Sequence, residues 1–129
     1  MARSTPAPLK HPPQGALADQ YQRVLDLALQ LPGVEASRSY GTPAIKVKGK
    51  LIARLRSEAE GGLALRCDFP ERHMLLQADP DAFYVTDHYA DYPMVLVNLS
   101  RVRWDAMPQL LEDAYRAVAP KKLIAELDA

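Results

Sequence analysis

The sequence predicts an α+β fold of two layers, in which an antiparallel β-sheet carries its helices on one face. Apolar residues recur at helical spacing near both ends of the chain, and a period of two dominates between them. The predicted strands are grouped rather than alternated with helices, which is typical of antiparallel sheets. A chain of 129 residues suits one domain. We place that domain at residues 16–129, after a Pro-rich tail, 1–15, that is predicted to be flexible.

The first predicted helix spans residues 16–30 and ends at a turn. Pro32 disfavours helical backbone angles at Leu31, and Gly33 permits the chain to reverse. The apolar stripe of the helix consists of Leu17, Tyr21, Val24, Leu25 and Ala28.

Residues 44–56 alternate with a period of two and are predicted to form two strands. A three-residue loop, 48–50, would pair Val47 with Leu51 and Ile45 with Ala53. Such pairing keeps the apolar side chains on one face. A third strand, 62–68, continues the register by pairing Leu55 with Leu63 and Ala53 with Leu65.

A short helix is predicted to follow the meander, over residues 70–78. Asp68 has the spacing to Glu71 that a capping box requires. Asp79-Pro80 ends the helix, because proline disfavours helical angles at the residue before it. Arg72, on this helix, is predicted to be solvated.

A second hairpin and a long helix complete the predicted fold. The segments 83–85 and 94–99 are apolar on both faces, which is typical of interior strands. Asp105 is a candidate N-cap for the long helix. Pro120 ends that helix and begins a last short one.

The first candidate site is the second face of the meander, which is rich in Lys and Arg. The chain balances 16 basic against 16 acidic residues, so any affinity for nucleic acid must come from uneven placement of charge. A cationic face can neutralise phosphates. Lys and Arg that only solvate an exposed sheet face would give the same pattern, and both interpretations stay open. The basic set comprises Lys46, Lys48, Lys50, Arg54, Arg56 and Arg66.

The second candidate site is the loop Thr86–Pro93, between the strands of the second hairpin. His88 would suit a general base or a hydrogen bond to a ligand. The alternative, which we favour, is a hairpin loop whose rings cover the end of the sheet, because no nucleophile or oxyanion donor can be placed near His88. An enzyme is therefore less expected than a binding protein. The ligand set comprises Tyr40, Asp87, His88, Tyr89 and Tyr92.

The remaining features argue against a metal, a cofactor and a membrane span. The histidines lack metal-ligand spacing, and Cys67 has no second cysteine with which to bind zinc. Its apolar position predicts a buried, inert thiol. No glycine motif for a phosphate or dinucleotide is present. No apolar run approaches the ~20 residues that span a bilayer. The lone cysteine and the lack of a signal peptide indicate the cytoplasm.

The chain resembles the MmcQ/YjbR family over residues 17–123, through short blocks that recur in the family's order. The resemblance implies a two-layer fold with an antiparallel sheet, shaped like the type III secretion chaperones. It also implies DNA binding through a "double wing", and it implies no catalytic residues. The blocks are LPGVE at 31–35, SYGTPA at 39–44, KVKGK at 46–50, LRC at 65–67, DP at 79–80, YVTDHY at 84–89, YPMVLV at 92–97, LEDAY at 111–115 and APKKL at 119–123.

Three functions follow as hypotheses. The first is DNA binding with weak sequence preference, through phosphate contacts of the basic set. The second is a protein-interaction or adaptor module that uses a sheet edge, with the chain a monomer or a weak dimer. The third is a small-molecule binder or enzyme that uses the loop Thr86–Pro93.

Overall fold

Six strands form one antiparallel sheet with four helices packed against it, and the predicted antiparallel α+β fold is confirmed. The computed structural model describes residues 15–57 and 61–129, so the predicted tail lies outside the described residues except for Gly15. The spatial order of the strands is β1-β2-β3-β4-β6-β5. The strands are β1 (Val34–Ser39), β2 (Thr42–Val47), β3 (Lys50–Leu55), β4 (Leu63–Arg66), β5 (Phe83–Tyr84) and β6 (Met94–Val97), and the helices are α1 (Gly15–Ala28), α2 (Phe69–Ala78), α3 (Met107–Val118) and α4 (Lys121–Asp128).

The main core lies between the helices and the face of the sheet that they cover, which we call the first face. Burial of apolar surface there supplies most of the favourable free energy of folding. Tyr115 of α3 is fully buried in this core, and its hydroxyl donates to the carbonyl oxygen of Pro32 over 2.6 Å. That bond ties the turn after α1 to α3. Within the described residues, no helix is long and apolar enough to cross a membrane.

The β2–β3 turn has two residues, so the predicted three-residue loop is wrong. Lys48 and Gly49 both have positive φ, at 49° and 77°, as in a type I′ turn, whose twist matches that of the flanking strands. The turn pairs Val47 with Lys50. A β-bulge then shifts the register, so that Ile45 lies opposite Ala53 as predicted.

The bulge sends two neighbouring apolar residues of β3 to different clusters. Ile52 is fully buried in the helix-side core, whereas Leu51 packs with the cluster on the second face. Strict alternation would place them the other way round. The β3–β4 pairing of Ala53 with Leu65 and of Leu55 with Leu63 is confirmed.

The second hairpin corrects one prediction and confirms another. β6 lies inside the sheet, between β4 and β5, but β5 is a two-residue strand at the edge. The chain leaves the sheet after Tyr84 and forms a 3₁₀ turn at Asp87–Tyr89. The second face of β6 is apolar because Tyr89 covers it.

The helix caps also divide into confirmed and wrong predictions. Asp68 caps α2, and its carboxylate accepts from the Glu71 N–H over 2.8 Å. Asp105 does not cap α3, because a 3₁₀ turn at Trp104–Ala106 precedes that helix and makes Ala106 its N-cap. Asp105 instead forms an exposed ion pair of 3.6 Å with Arg103.

Candidate functional site

The second face of the sheet carries a cleft of about 510 Å³. Its floor consists of side chains from the three central strands β3, β4 and β6. One wall is the β1–β2 turn at Ser39 and Tyr40, and the other is the loop from His88 to Pro93. The cleft therefore brings together members of both candidate sets. The floor residues are Leu51, Arg54, Ala64, Arg66 and Met94.

Arg72 of α2 holds the loop wall in place. Its guanidinium donates to the carbonyl oxygens of Tyr89, Ala90, Tyr92 and Met94 at 2.9 to 3.1 Å. The prediction that Arg72 is solvated is therefore wrong. Arginine suits this position because its planar, permanently charged group presents several donors at fixed angles.

Tyr89 joins the loop to the floor. Its side chain is 8% exposed and packs with Ala64, Met94 and Leu96. Its hydroxyl accepts a hydrogen bond from Arg54 Nη1 over 3.1 Å. The alternative interpretation of the loop predicted that its rings cover the sheet. Tyr89 does so.

The arginines of the basic set do not form an open cationic surface. Arg54 Nε donates to the Ser39 carbonyl over 3.3 Å, and Arg66 Nε donates to the Leu51 carbonyl over 3.1 Å. Both guanidinium groups lie in the cleft, each half-buried. Arg56 is buried, at 8% exposed, and its Nη1 donates to the Gly61 carbonyl over 3.1 Å.

The lysines of the basic set lie outside the cleft. Lys48 and Lys50 are exposed at the β2–β3 turn. Lys46 is half-buried and lies directly opposite Leu51, a floor residue. The predicted basic face is therefore divided into arginines inside the cleft and lysines at its margin.

Four rings surround the cleft, and three of them are exposed, whereas Tyr89 is buried. Tyr40 is 85% exposed, and the Arg54 guanidinium carbon lies 5.4 Å from its ring centroid. Tyr92 is 56% exposed. His88 stands edge-on to Tyr89, with ring centroids 4.9 Å apart. Asp87 is exposed and does not line the cleft.

Among the described residues, the lining has a single sign of charge: Arg54 and Arg66 are its charged side chains, and no Asp or Glu contributes to it. Cys67 is buried outside the lining, and burial, followed by the nearby Glu71 carboxylate, raises the pKa of its thiol to about 12. The predicted burial of this thiol is confirmed. No group of side chains among the described residues has the arrangement of a metal site. The cleft is suited to holding an anion beside a flat ring.

The backbone of Tyr40 is strained. Its φ is +53°, a region that costs most residues free energy and that Asn and Gly tolerate. We expect Tyr40→Asn to raise the free energy of unfolding by about 0.5 to 1 kcal/mol, because a largely exposed ring has little packing to lose. Urea denaturation checks this value. Lys48→Asn is the matched control, since Lys48 has a φ of +49° in the same kind of turn.

Only Tyr40→Asn of this pair is expected to weaken binding of a ligand in the cleft. A loss of stability in Tyr40→Asn alongside a gain in Lys48→Asn would show that the Tyr40 ring stabilises the fold. In that case the positive φ of Tyr40 would no longer indicate a functional role for this residue.

The candidate sets predicted from the sequence omit several residues of this site, and three of them show why. Leu51 reaches the floor because of the bulge, and alternation of side chains gives no signal for a bulge. Met94 lies in a segment predicted to be apolar on both faces, a pattern that gives no link to a ligand. Arg72 had no signal, since it lies on a helix with little amphipathic pattern and acts on a loop about 20 residues away in the chain.

Comparison with known proteins matches one family. The YjbR family model matches residues 29–117, a range that includes every residue of the cleft lining. No curated protein and no solved structure matches the chain.

Proposed function

The chain belongs to the YjbR family, and from this membership and the cleft we propose that it is a binding protein for a small ligand that joins an anionic group to a flat ring. One observation carries the proposal. Two arginines from neighbouring strands and four rings line one cleft, and in the part of the chain that the structure describes no carboxylate stands among them. The cleft volume of about 510 Å³ lies within the range of small-molecule sites.

Hydrogen bonds within the protein hold both arginine side chains in place and leave some of their N–H donors available for an anion. Ser39 and Tyr89 fix the Arg54 guanidinium through its Nε and Nη1, and Leu51 fixes Arg66 through its Nε. Within residues 15–57 and 61–129, no hydrogen-bond partner holds Arg54 Nη2 or either Nη of Arg66. Charge-assisted hydrogen bonds from such groups are about twice as strong as neutral ones.

Arg66→Met tests the proposal by isothermal titration with aromatic carboxylates and phosphates. We expect the affinity for any anion that binds to fall at least about tenfold, because one charge-assisted bond contributes roughly 1.5 to 3 kcal/mol. Arg101→Met is the matched control, since Arg101 is exposed and lies outside the cleft lining. Equal affinities in both variants would reject the cleft as the anion site.

DNA binding is the second candidate function, and the lysines of the β2–β3 hairpin favour it. Lys48 and Lys50 project from an exposed turn, and Lys46 stands on the same strand pair. These groups suit phosphate contacts, which give affinity with weak sequence preference.

Mobility shifts with duplex DNA test this second function. If three lysines neutralise three phosphates, the log–log slope of affinity against salt is about −2.7. Lys48→Glu combined with Lys50→Glu should abolish the shift. Lys121→Glu combined with Lys122→Glu, on α4, makes the same change of charge on the helix side of the sheet. Equal loss in both double variants would point to general charge and contradict a role for the hairpin.

A further inference from the structure

We propose that the anion is a phosphate and the ring a nucleobase, so that the cleft holds one nucleoside phosphate. This inference rests on the proposed function and narrows it to a ligand class. The phosphate lies against Arg54 and Arg66 on the floor, and the base stacks on the rings of the two walls. The ligand is either a free nucleotide or an unstacked nucleotide of a single strand, since both present the same chemistry.

The charge of the floor favours phosphate over carboxylate. Arg54 lies directly opposite Ala64, and Arg66 is two residues further along β4. Such diagonal neighbours are about 7 to 8 Å apart, so two arginine side chains can contact one anion between them. Their two positive charges match the charge of a phosphate monoester, about −1.5 to −2 at neutral pH. A single carboxylate would leave one guanidinium uncompensated.

The walls favour a nucleobase. Tyr40 stands on the turn beyond β2, and Tyr92 and His88 stand on the loop beside β6, so the rings flank the floor from two sides. Exposed rings give sequence-tolerant stacking, because every base has a π-face. A strained backbone at Tyr40 is the kind of cost that is found at ligand sites.

The size of the cleft excludes a base pair within a duplex. A volume of about 510 Å³ suits one drug-sized ligand, and the β1–β2 turn and the loop from His88 to Pro93 wall the floor on two sides. The nucleotide must therefore be free, terminal or unstacked. For a strand, Lys46 lies opposite the floor residue Leu51 and is placed to contact the next phosphate.

Titration of the full chain with matched probes tests the inference. The probes are AMP, adenosine, ribose 5-phosphate, inorganic phosphate, 4-hydroxybenzoate and a 5′-phosphorylated single-stranded pentanucleotide. We expect AMP to bind. Ribose 5-phosphate should bind roughly 5- to 150-fold more weakly, because it lacks the affinity that one stacked base contributes. Adenosine should also bind more weakly than AMP. If the pentanucleotide binds more tightly than AMP, and Lys46→Ala removes the difference, the ligand is a nucleotide of a single strand. If the two bind equally, the ligand is a free nucleotide.

Two variants separate the floor from the walls. Arg66→Met should weaken AMP and inorganic phosphate alike. Tyr40→Ala changes an 85% exposed side chain, so the fold should survive, and it should weaken AMP while leaving inorganic phosphate unchanged.

Three outcomes would overturn the inference. Ribose 5-phosphate that binds as tightly as AMP would show that the base contributes nothing. Binding of 4-hydroxybenzoate without AMP would leave the proposed function in place and reject the nucleotide. Failure of every probe would reject both.

Discussion

Replacing Tyr89 with alanine is expected to lower the free energy of unfolding by about 3 to 4 kcal/mol, in the range of buried aromatic truncations. The Tyr89 side chain is 8% exposed and covers an apolar cluster that includes Ala64, Met94 and Leu96. Among the described residues, no helix residue packs against that cluster, so water would reach it once the ring is removed. Urea denaturation followed by circular dichroism measures the change.

Tyr92→Ala is the control for Tyr89→Ala. Tyr92 belongs to the same loop but is 56% exposed, so we expect a change within about 0.5 kcal/mol. Tyr89→Phe separates the hydroxyl from the ring and should cost about 1 kcal/mol, the value of one hydrogen bond to Arg54. Similar losses in Tyr89→Ala and Tyr92→Ala would contradict a core role for Tyr89.

Arg72→Met is expected to lower the free energy of unfolding by about 2 to 3 kcal/mol. The substitution removes the donors to four carbonyl groups of the loop while keeping much of the apolar stem. The value is less than the sum of four bonds, because part of the loop is exposed and water can replace some donors. Denaturation gives the free energy, and faster hydrogen exchange at residues 89–94 shows which segment has loosened.

Two comparisons make the Arg72 prediction sharper. Arg72→Lys keeps the charge but replaces a planar fork with one ammonium group, so it should recover only part of the loss. The double variant Arg72→Met with Tyr89→Ala should lose less than the sum of the single losses, since both residues hold the same loop. Strict additivity would show that they act on different parts of the structure.

The fold could be predicted from the sequence wherever the pattern was local. Alternation along residues 44–56 predicted β2 and β3, and capping by Asp68 predicted α2. β1 has only Val34 and Ala36 as apolar residues and buries none of its side chains fully, so it gives little strand signal. The β-bulge and the edge position of β5 depend on how strands pair across the sheet, which local patterns do not contain.

The candidate site was predictable as separate residues but not as one cleft. Arg54 and Arg66 followed from the meander, and Tyr40 and His88 followed from composition and loop position. These residues come together in one cleft because the loop folds back over β4 and β6. Hydrogen bonds from Arg72 hold the loop in that position. An arginine that binds backbone carbonyls accepts almost any loop sequence, so no residue pattern in the loop indicates the contact.

Because Arg72 donates hydrogen bonds to carbonyl oxygens of the loop, the loop wall and the floor of the cleft are held by different parts of the fold. The floor is part of the sheet, whereas the loop wall is attached to α2 through one side chain. The position of the loop wall therefore depends on α2 as well as on the sheet. Phe69, which lies under the Arg72 guanidinium with 4.8 Å between the guanidinium carbon and the ring centroid, is 47% exposed on that helix. Arg72, which supports this wall, thus lies on a helix outside the cleft lining, beside a partly exposed ring.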